Sequence, residues 1–170
     1  MADTTIYLNG PQGPVPIKAV DQGDGTYSLK VLGSGAAAIP FTIPFVAGYA
    51  TITWTSMPAA LTEFNAAARG RIKVDLTNAT QARLIVHMMS TAGSANAELR
   101  AQYSTDDSSF SYMDGATGPS VAINAANVTL VSSWVNLAAG AKADVFLRVV
   151  GINGDGATSP TFGNISIQVR

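Results

Sequence analysis

The chain has no cysteine. Disulfides and thiolate metal sites are therefore excluded, while the redox compartment stays open. Charge is scarce: Asp, Glu, Lys and Arg make up 12% of the 170 residues, against the ~25% usual in soluble domains. The formal net charge is -1, and lysines and arginines stand singly, so no basic patch marks a nucleic-acid partner. One histidine, His87, cannot build a histidine metal cluster. The opening MADTTIYLNG carries an acid and no basic segment, so a Sec-type signal peptide is not expected. The longest weakly polar run, residues 36–50, is too short to span a bilayer and is broken by Pro40 and Pro44. Neither a nucleic acid nor a membrane is expected as partner, and the chain is expected to be made in the cytoplasm. Internal repeats, heptads and charge blocks are also missing.

Apolar residues are plentiful, at 47%. The surface must then be built from Ser, Thr, Asn, Gly and Ala, which suits a protein held in an assembly. The length predicts one domain with an arm. Residues 82–113 set the pattern: ARLIVHMM, STAGSAN, AELRAQYS, TDDS and SFSYM read strand, turn, strand, turn, strand. Over 97–104, Ala97, Leu99, Ala101 and Tyr103 point one way. Glu98, Arg100, Gln102 and Ser104 point the other, so one face covers a core and the other meets water.

Residues 1–35 differ from the rest. GPQGPVP is expected to stay out of a sheet interior. Residues 15–20 and 26–31 read as two short strands joined by the glycine turn DQGDG, a hairpin signal. A hairpin this small needs a partner surface, and its Val15, Ile17, Val20, Tyr27, Leu29 and Val31 are the candidate docking residues. Gly33-Ser34-Gly35 reads as a flexible joint. Residues 36–170 read as a sandwich. Residues 39–46 and 51–55 are β-rich, with Pro40 and Pro44 placing the first on an edge or at a bend. Residues 57–69 (MPAALTEFNAAAR) are the helix candidate, with Ser56 as cap, Pro58 in the first turn and Gly70 as stop. Further strands fall at 71–76, 121–123, 128–137, 144–151 and 162–169. The last has Ile165, Ile167 and Val169 inward, and Ser166, Gln168 and Arg170 outward. The expectation is an all-β antiparallel sandwich or jelly roll of about eight strands, with an N-terminal arm and small hairpin.

Two strands are apolar on both faces. In 84–89, Leu84, Val86 and Met88 oppose Ile85, His87 and Met89. In 145–150, Val145, Leu147 and Val149 oppose Phe146, Arg148 and Val150. A strand of this kind is covered on both sides, by a loop, by the arm or by a sister subunit. Ile85, His87, Met89, Phe146, Arg148 and Val150 are the candidate subunit contacts.

Candidate reaction centres are weak. His87 sits mid-strand between Val86 and Met88, so a packed imidazole is favoured over a general base. Glu63 and Glu98 lie far apart, and Asp75, Asp106, Asp107, Asp114 and Asp144 offer many pairs without the specificity of a glycosidase dyad. Asp in such loops forms turns more often. The turns around Asp21–Gly25 and Asn153–Gly156 lack the ligand spacing of a calcium loop. Sequons at Asn78, Asn127 and Asn164 read as chance. Among Trp54, Tyr103, Phe110, Tyr112 and Trp134, the pair Phe110 and Tyr112 shares a face by parity and is the best sugar platform. No catalytic residue, cofactor or metal is assigned.

Two stretches resemble structural proteins of tailed bacteriophages. PVPIKAVDQGDGTYSLKV (residues 14–31) is similar to an N-terminal element of such proteins. AELRAQYSTDDSSFSYMDG (97–115), with SSWVNLAAGAKADVFLRVVG (132–151), resembles the jelly-roll body of phage virion proteins. Sugar-binding sandwiches share that second pattern, but where their hairpin carries D-G and a Trp this chain has Asp107 and Phe110. The resemblance implies a non-enzymatic virion component. The expectation is a capsid decoration protein on the head surface, a homotrimer whose arm grips the major capsid protein of the same phage. The alternative is a carbohydrate-binding tail-tip or baseplate module. An enzyme acting on cell-wall polysaccharide ranks third.

Overall fold

The last strand shows how this chain chooses its architecture. Ile165, Ile167 and Val169 are buried and Gln168 and Arg170 look outward, as alternation requires, but Ser166, expected in the outward set, is buried as well. The computed structural model describes residues 4–10, 13–21 and 27–31 as backbone, and residues 40–46, 52–64 and 71–170 with side chains, Val46 excepted. The described residues form strands and one 3-10 turn, Ala139–Ala141. The strands are β1 (Thr4–Gly10), β2 (Gly13–Asp21), β3 (Tyr27–Val31), β4 (Phe41–Val46), β5 (Ile52–Thr53), β6 (Thr62–Glu63), β7 (Arg71–Asp75), β8 (Gln81–Ser90), β9 (Glu98–Ser104), β10 (Ser111–Tyr112), β11 (Ser120–Ala122), β12 (Val128–Val131), β13 (Val135–Asn136), β14 (Asp144–Ile152) and β15 (Thr161–Val169).

Two antiparallel sheets pack face to face. Sheet one runs β12, β8, β15, β4, with β13 continuing β12 along β8 and β5 continuing β4 along β15. Sheet two runs β10, β9, β14, β6, with β11 continuing β10 and β7 continuing β6. The short strands thus merge into four edge tracks around four unbroken central strands. The resulting eight-track sandwich, in which the chain passes repeatedly between the sheets, is a jelly roll. Every edge track is interrupted. Between β12 and β13 the Ser132 amide still donates to the Leu84 carbonyl at 2.9 Å, but the Leu84 amide goes to the Ser132 Oγ, at 2.9 Å, and not to a backbone carbonyl. Broken edges present poor templates for another strand. Pro44 lies on the edge strand β4, where the register skips a residue opposite β15, as its chemistry predicts.

The core lies between the sheets. Leu84, Val86, Met88, Phe162, Ile165 and Ile167 from sheet one meet Leu99, Ala101, Val145, Leu147 and Val149 from sheet two. Burying each larger side chain stabilises the fold by roughly 1.5–3 kcal/mol. Trp54 and Phe64 join them through edge-on ring contacts that reach Phe162.

Four expectations are corrected. The helix over 57–69 does not form in its described part. Met57 is fully buried, and the carbonyls of Met57, Pro58 and Ala59 accept the amides of Gly156, Gly154 and Asn153. Long-range bonds to the β14–β15 loop thus take the place of helical ones, and Thr62–Glu63 join sheet two. Gly154 permits this, since a Cβ there would meet the Met57 carbonyl oxygen at 2.1 Å. Second, Pro14 and Pro16 do lie inside a sheet. β2 is the middle strand of a separate sheet ordered β1, β2, β3. Pro14 pairs with Asn9 and Pro16 with Tyr7 of β1, and the described pairing with β3 runs from Ile17 to Asp21; the two prolines have equal parity, so both donorless nitrogens point to one side. Third, 128–137 is two strands, not one. Fourth, the polar face of β9 is not open to water: Gln102 and Ser104 are buried, while Tyr103 on the other parity is only half-buried.

Candidate functional site

The outer face of sheet two closes on itself. β14 aligns Arg148 with Arg71 of β7 on one side and Gln102 of β9 on the other. Glu63 of β6 takes Arg71 through both carboxylate oxygens, at 3.1 Å each, and Arg148 at 2.9 Å. Arg148 Nε also donates to Gln102 Oε1 at 2.9 Å, which explains why Gln102 can be buried. Phe110 carries the Arg148 guanidinium at 3.9 Å and that of Arg71 at 5.0 Å from its ring centroid. Arg71 reaches Asp107 as well, at 3.0 Å. Farther along, Arg100 pairs with Glu98 at 3.0 Å and lies over Tyr112, and Lys73 pairs with Asp144 at 3.3 Å. Burial pushes the Glu63 carboxyl up, but the hydrogen bonds and charges of Arg71 and Arg148 outweigh it and hold it below its ordinary value. Phe110 and Tyr112 thus share a face, as parity predicts, but each ring already carries an arginine.

The outer face of sheet one is different. Its register sets Thr129 beside His87 and Asn164, Val131 beside Ile85, Ser166 and Pro44, and Arg83 beside Gln168 and Thr42. Trp134, between β12 and β13, receives two guanidiniums, Arg83 at 4.5 Å and Arg170 at 4.4 Å from the ring centroid. Their partners are amides. Arg83 Nε donates to Gln168 Oε1 at 2.7 Å, and Arg170 Nε to Gln81 Oε1 at 2.7 Å; Gln81 in turn donates to Asn136 at 2.9 Å. Val131 and Met89 on this face are two of the three exposed large hydrophobics among the described residues, at 49% and 38%. Gly163 bulges between β8-facing positions and leaves room for the His87 ring, which would lie 2.9 Å from a Cβ there.

The expected subunit contacts therefore divide. Ile85, His87 and Met89 lie on the outside of sheet one, and Phe146, Arg148 and Val150 on the outside of sheet two. Val150 is already fully buried within the chain. The expected docking residues fall on β2 and β3, where Ile17 pairs with Val31 and Ala19 with Leu29, while Val20 pairs with Ser28 at the other parity. Their side chains, the DQGDG turn after Asp21 and the Gly33-Ser34-Gly35 joint lie outside the described residues. His87 Nδ1 is 3.0 Å from Thr129 Oγ1.

Loop aspartates serve as turn formers. Asp106 Oδ1 binds the Ser104 hydroxyl and the amides of Ser108 and Ser109, Asp114 Oδ1 binds those of Ala116, Thr117 and Gly118, and Asp155 Oδ1 those of Ala157 and Thr158. The Thr158 hydroxyl and these amides pull Asp155 down to about 2, and Asp106 falls further for the same reason. Among the described residues no group of three or more His, Asp or Glu could hold a metal, and no helix is long and apolar enough to cross a membrane. Sequence reasoning missed the Arg83–Trp134–Arg170 group. The available signal was parity: Arg83 and Arg170 share the outward set of their strands, but their neighbourhood to Trp134 depends on which strands pair.

Comparison with known proteins is sparse. No family model and no curated protein matches the chain. A chain from "Structure of infectious bursal disease virus Gx strain" aligns over 91% of this chain and 41% of its own length, at 12% identity and a TM-score of 0.37. The protein thus spans less than half of that chain, and the likeness is too distant to transfer a role.

Proposed function

We propose that the protein is a non-enzymatic virion structural protein: a decoration protein that binds the major capsid protein on the outside of a phage head and stabilises the shell, as a homotrimer. The observation that supports this reading is the partition of the strands. A jelly roll with four interrupted edges is accompanied by a small sheet, β1–β3, that among the described residues pairs with neither of its sheets. β3 passes beside β7, so the small sheet stands at one edge of sheet two. A single three-stranded sheet is at the threshold of independent stability and gains from a partner surface that covers its apolar face. The resemblance of residues 14–31, 97–115 and 132–151 to phage virion proteins points the same way.

The test is the copy number of the chain on purified particles, read by quantitative mass spectrometry. Decoration requires a number on the scale of the shell's subunits. A handful of copies supports the carbohydrate-binding tail module instead, and absence from particles overturns both. A chain beginning at Ala36 adds the location of the contact: it is expected to melt cooperatively near the full-length temperature and to lose binding to bare shells. Full-strength binding by that chain would move the contact to the sandwich.

A further inference from the structure

Five arginines are described with their side chains: Arg71, Arg83, Arg100, Arg148 and Arg170. Three of them have carboxylate partners, all on or beside sheet two. Arg83 and Arg170 have none among the described residues, and these two share one indole. Two cations on one ring repel each other. On sheet two Glu63 removes the same repulsion between Arg71 and Arg148; on sheet one no described carboxylate occupies the outer face.

The group is nonetheless held in position. Gln168 and Gln81 accept from the Nε edges, and Asn136 fixes the Gln81 amide. Both guanidiniums lie over the Trp134 ring, within 4.5 Å of its centroid. An arginine held in this way can offer its remaining N–H groups to a planar anion in a two-pronged contact. The exposed Val131, with Ile85 and Pro44 in the next row of the register, lies beside it. Trp and Arg bordered by apolar side chains are the residue types that dominate protein interfaces.

We propose that the outer face of sheet one is a docking surface for a protein segment that presents carboxylates next to apolar side chains. Charge decides the occupant. A second copy facing this surface with its own would oppose arginine to arginine. Two cations are too few for a nucleic-acid backbone, which is met by many. An acidic, partly apolar protein surface matches both halves of the face. This inference stands apart from the virion reading, because it concerns the chemistry of one face and needs no particle to test.

The experiment follows the Trp134 indole N–H and the arginine Nε–H signals of the full-length, isotope-labelled chain by NMR. The probe is a soluble peptide carrying two glutamates and two leucines. A peptide with glutamines in place of the glutamates, inorganic phosphate and a short DNA oligonucleotide are the comparisons. Saturable shifts at Trp134, Arg83 and Arg170 are expected with the acidic peptide, weakened by salt and roughly tenfold weaker with the glutamine peptide. The double variant Arg83→Gln with Arg170→Gln should lose the response, and Arg170→Lys should keep part of it. Equal binding of both peptides overturns the proposal, as do tighter binding of phosphate or DNA and the absence of any shift. The two-peptide comparison on the unaltered chain decides the matter even where the double variant does not fold.

Discussion

The two outer faces of the sandwich carry similar residue types and use them in opposite ways. Each sets a pair of arginines against one aromatic ring, Arg71 and Arg148 on Phe110, Arg83 and Arg170 on Trp134. On sheet two a half-buried glutamate completes the group, and every described buried polar side-chain atom of the chain has a partner. On sheet one amides stand where carboxylates would, and apolar side chains remain exposed. A cation pair closed by an anion of its own chain contributes to the fold. A cation pair left to amides contributes little to it and remains open to an anion from elsewhere.

Matched double variants break or sharpen that contrast. Replacing Arg71 and Arg148 by Gln strips Glu63 of both cations and Phe110 of both guanidiniums, and should give the larger fall in the denaturant midpoint of the two pairs. The same change at Arg83 and Arg170 removes only amide contacts and exposed stacking, and should cost about 1 kcal/mol or less. Equal costs would mean that both faces are structural.

Acid titration separates the faces again. The Glu63 carboxyl is held below its ordinary value, so its contribution is fully present above about pH 4.5 and is lost as pH falls through its folded value. Glu63→Gln should flatten stability across that window, whereas the Arg83→Gln, Arg170→Gln pair should leave the acid limb unchanged. Asp155 and Asp106 lose their turn bonds at lower pH still, and the Glu63 variant keeps that part of the curve.

Much of this was legible in the chain. Period-two alternation located β9 and β15, and runs apolar on both faces located β8 and β14; their inward positions are buried except Tyr103, which is half-buried. Pro44 announced an edge, and aspartates before small residues announced turns. Pairing was not legible. β8 and β9 are neighbours in sequence but lie in different sheets, so the face opposite each could not be known. Ser56 and Pro58 gave a helix start. In the structure Ser56 is left-handed, at a φ of 49°, and its amide goes to Ser159 Oγ, because burial of Met57 and bonds to the β14–β15 loop outweigh local propensity. Gln102 keeps its outward parity but is covered on the outer face, because Arg148, far away in sequence, supplies its partner.

The smallest expected effect is the most discriminating. Val131 sits in the edge strand β12 opposite Ile85 and is 49% exposed. Val131→Thr keeps the β-branched shape that suits a strand and exchanges a methyl for a hydroxyl that water can reach. A side chain already half in water forfeits little burial, so stability should change by no more than about 0.5 kcal/mol. On a docking face the same change should weaken the acidic peptide's binding, because the apolar part of the contact is lost while the arginines stay. A loss of stability above about 1 kcal/mol would show instead that Val131 is covered in solution, by this chain or by another copy of it. The face would then be closed, and sheet one would resemble sheet two in being finished within the protein's own assembly.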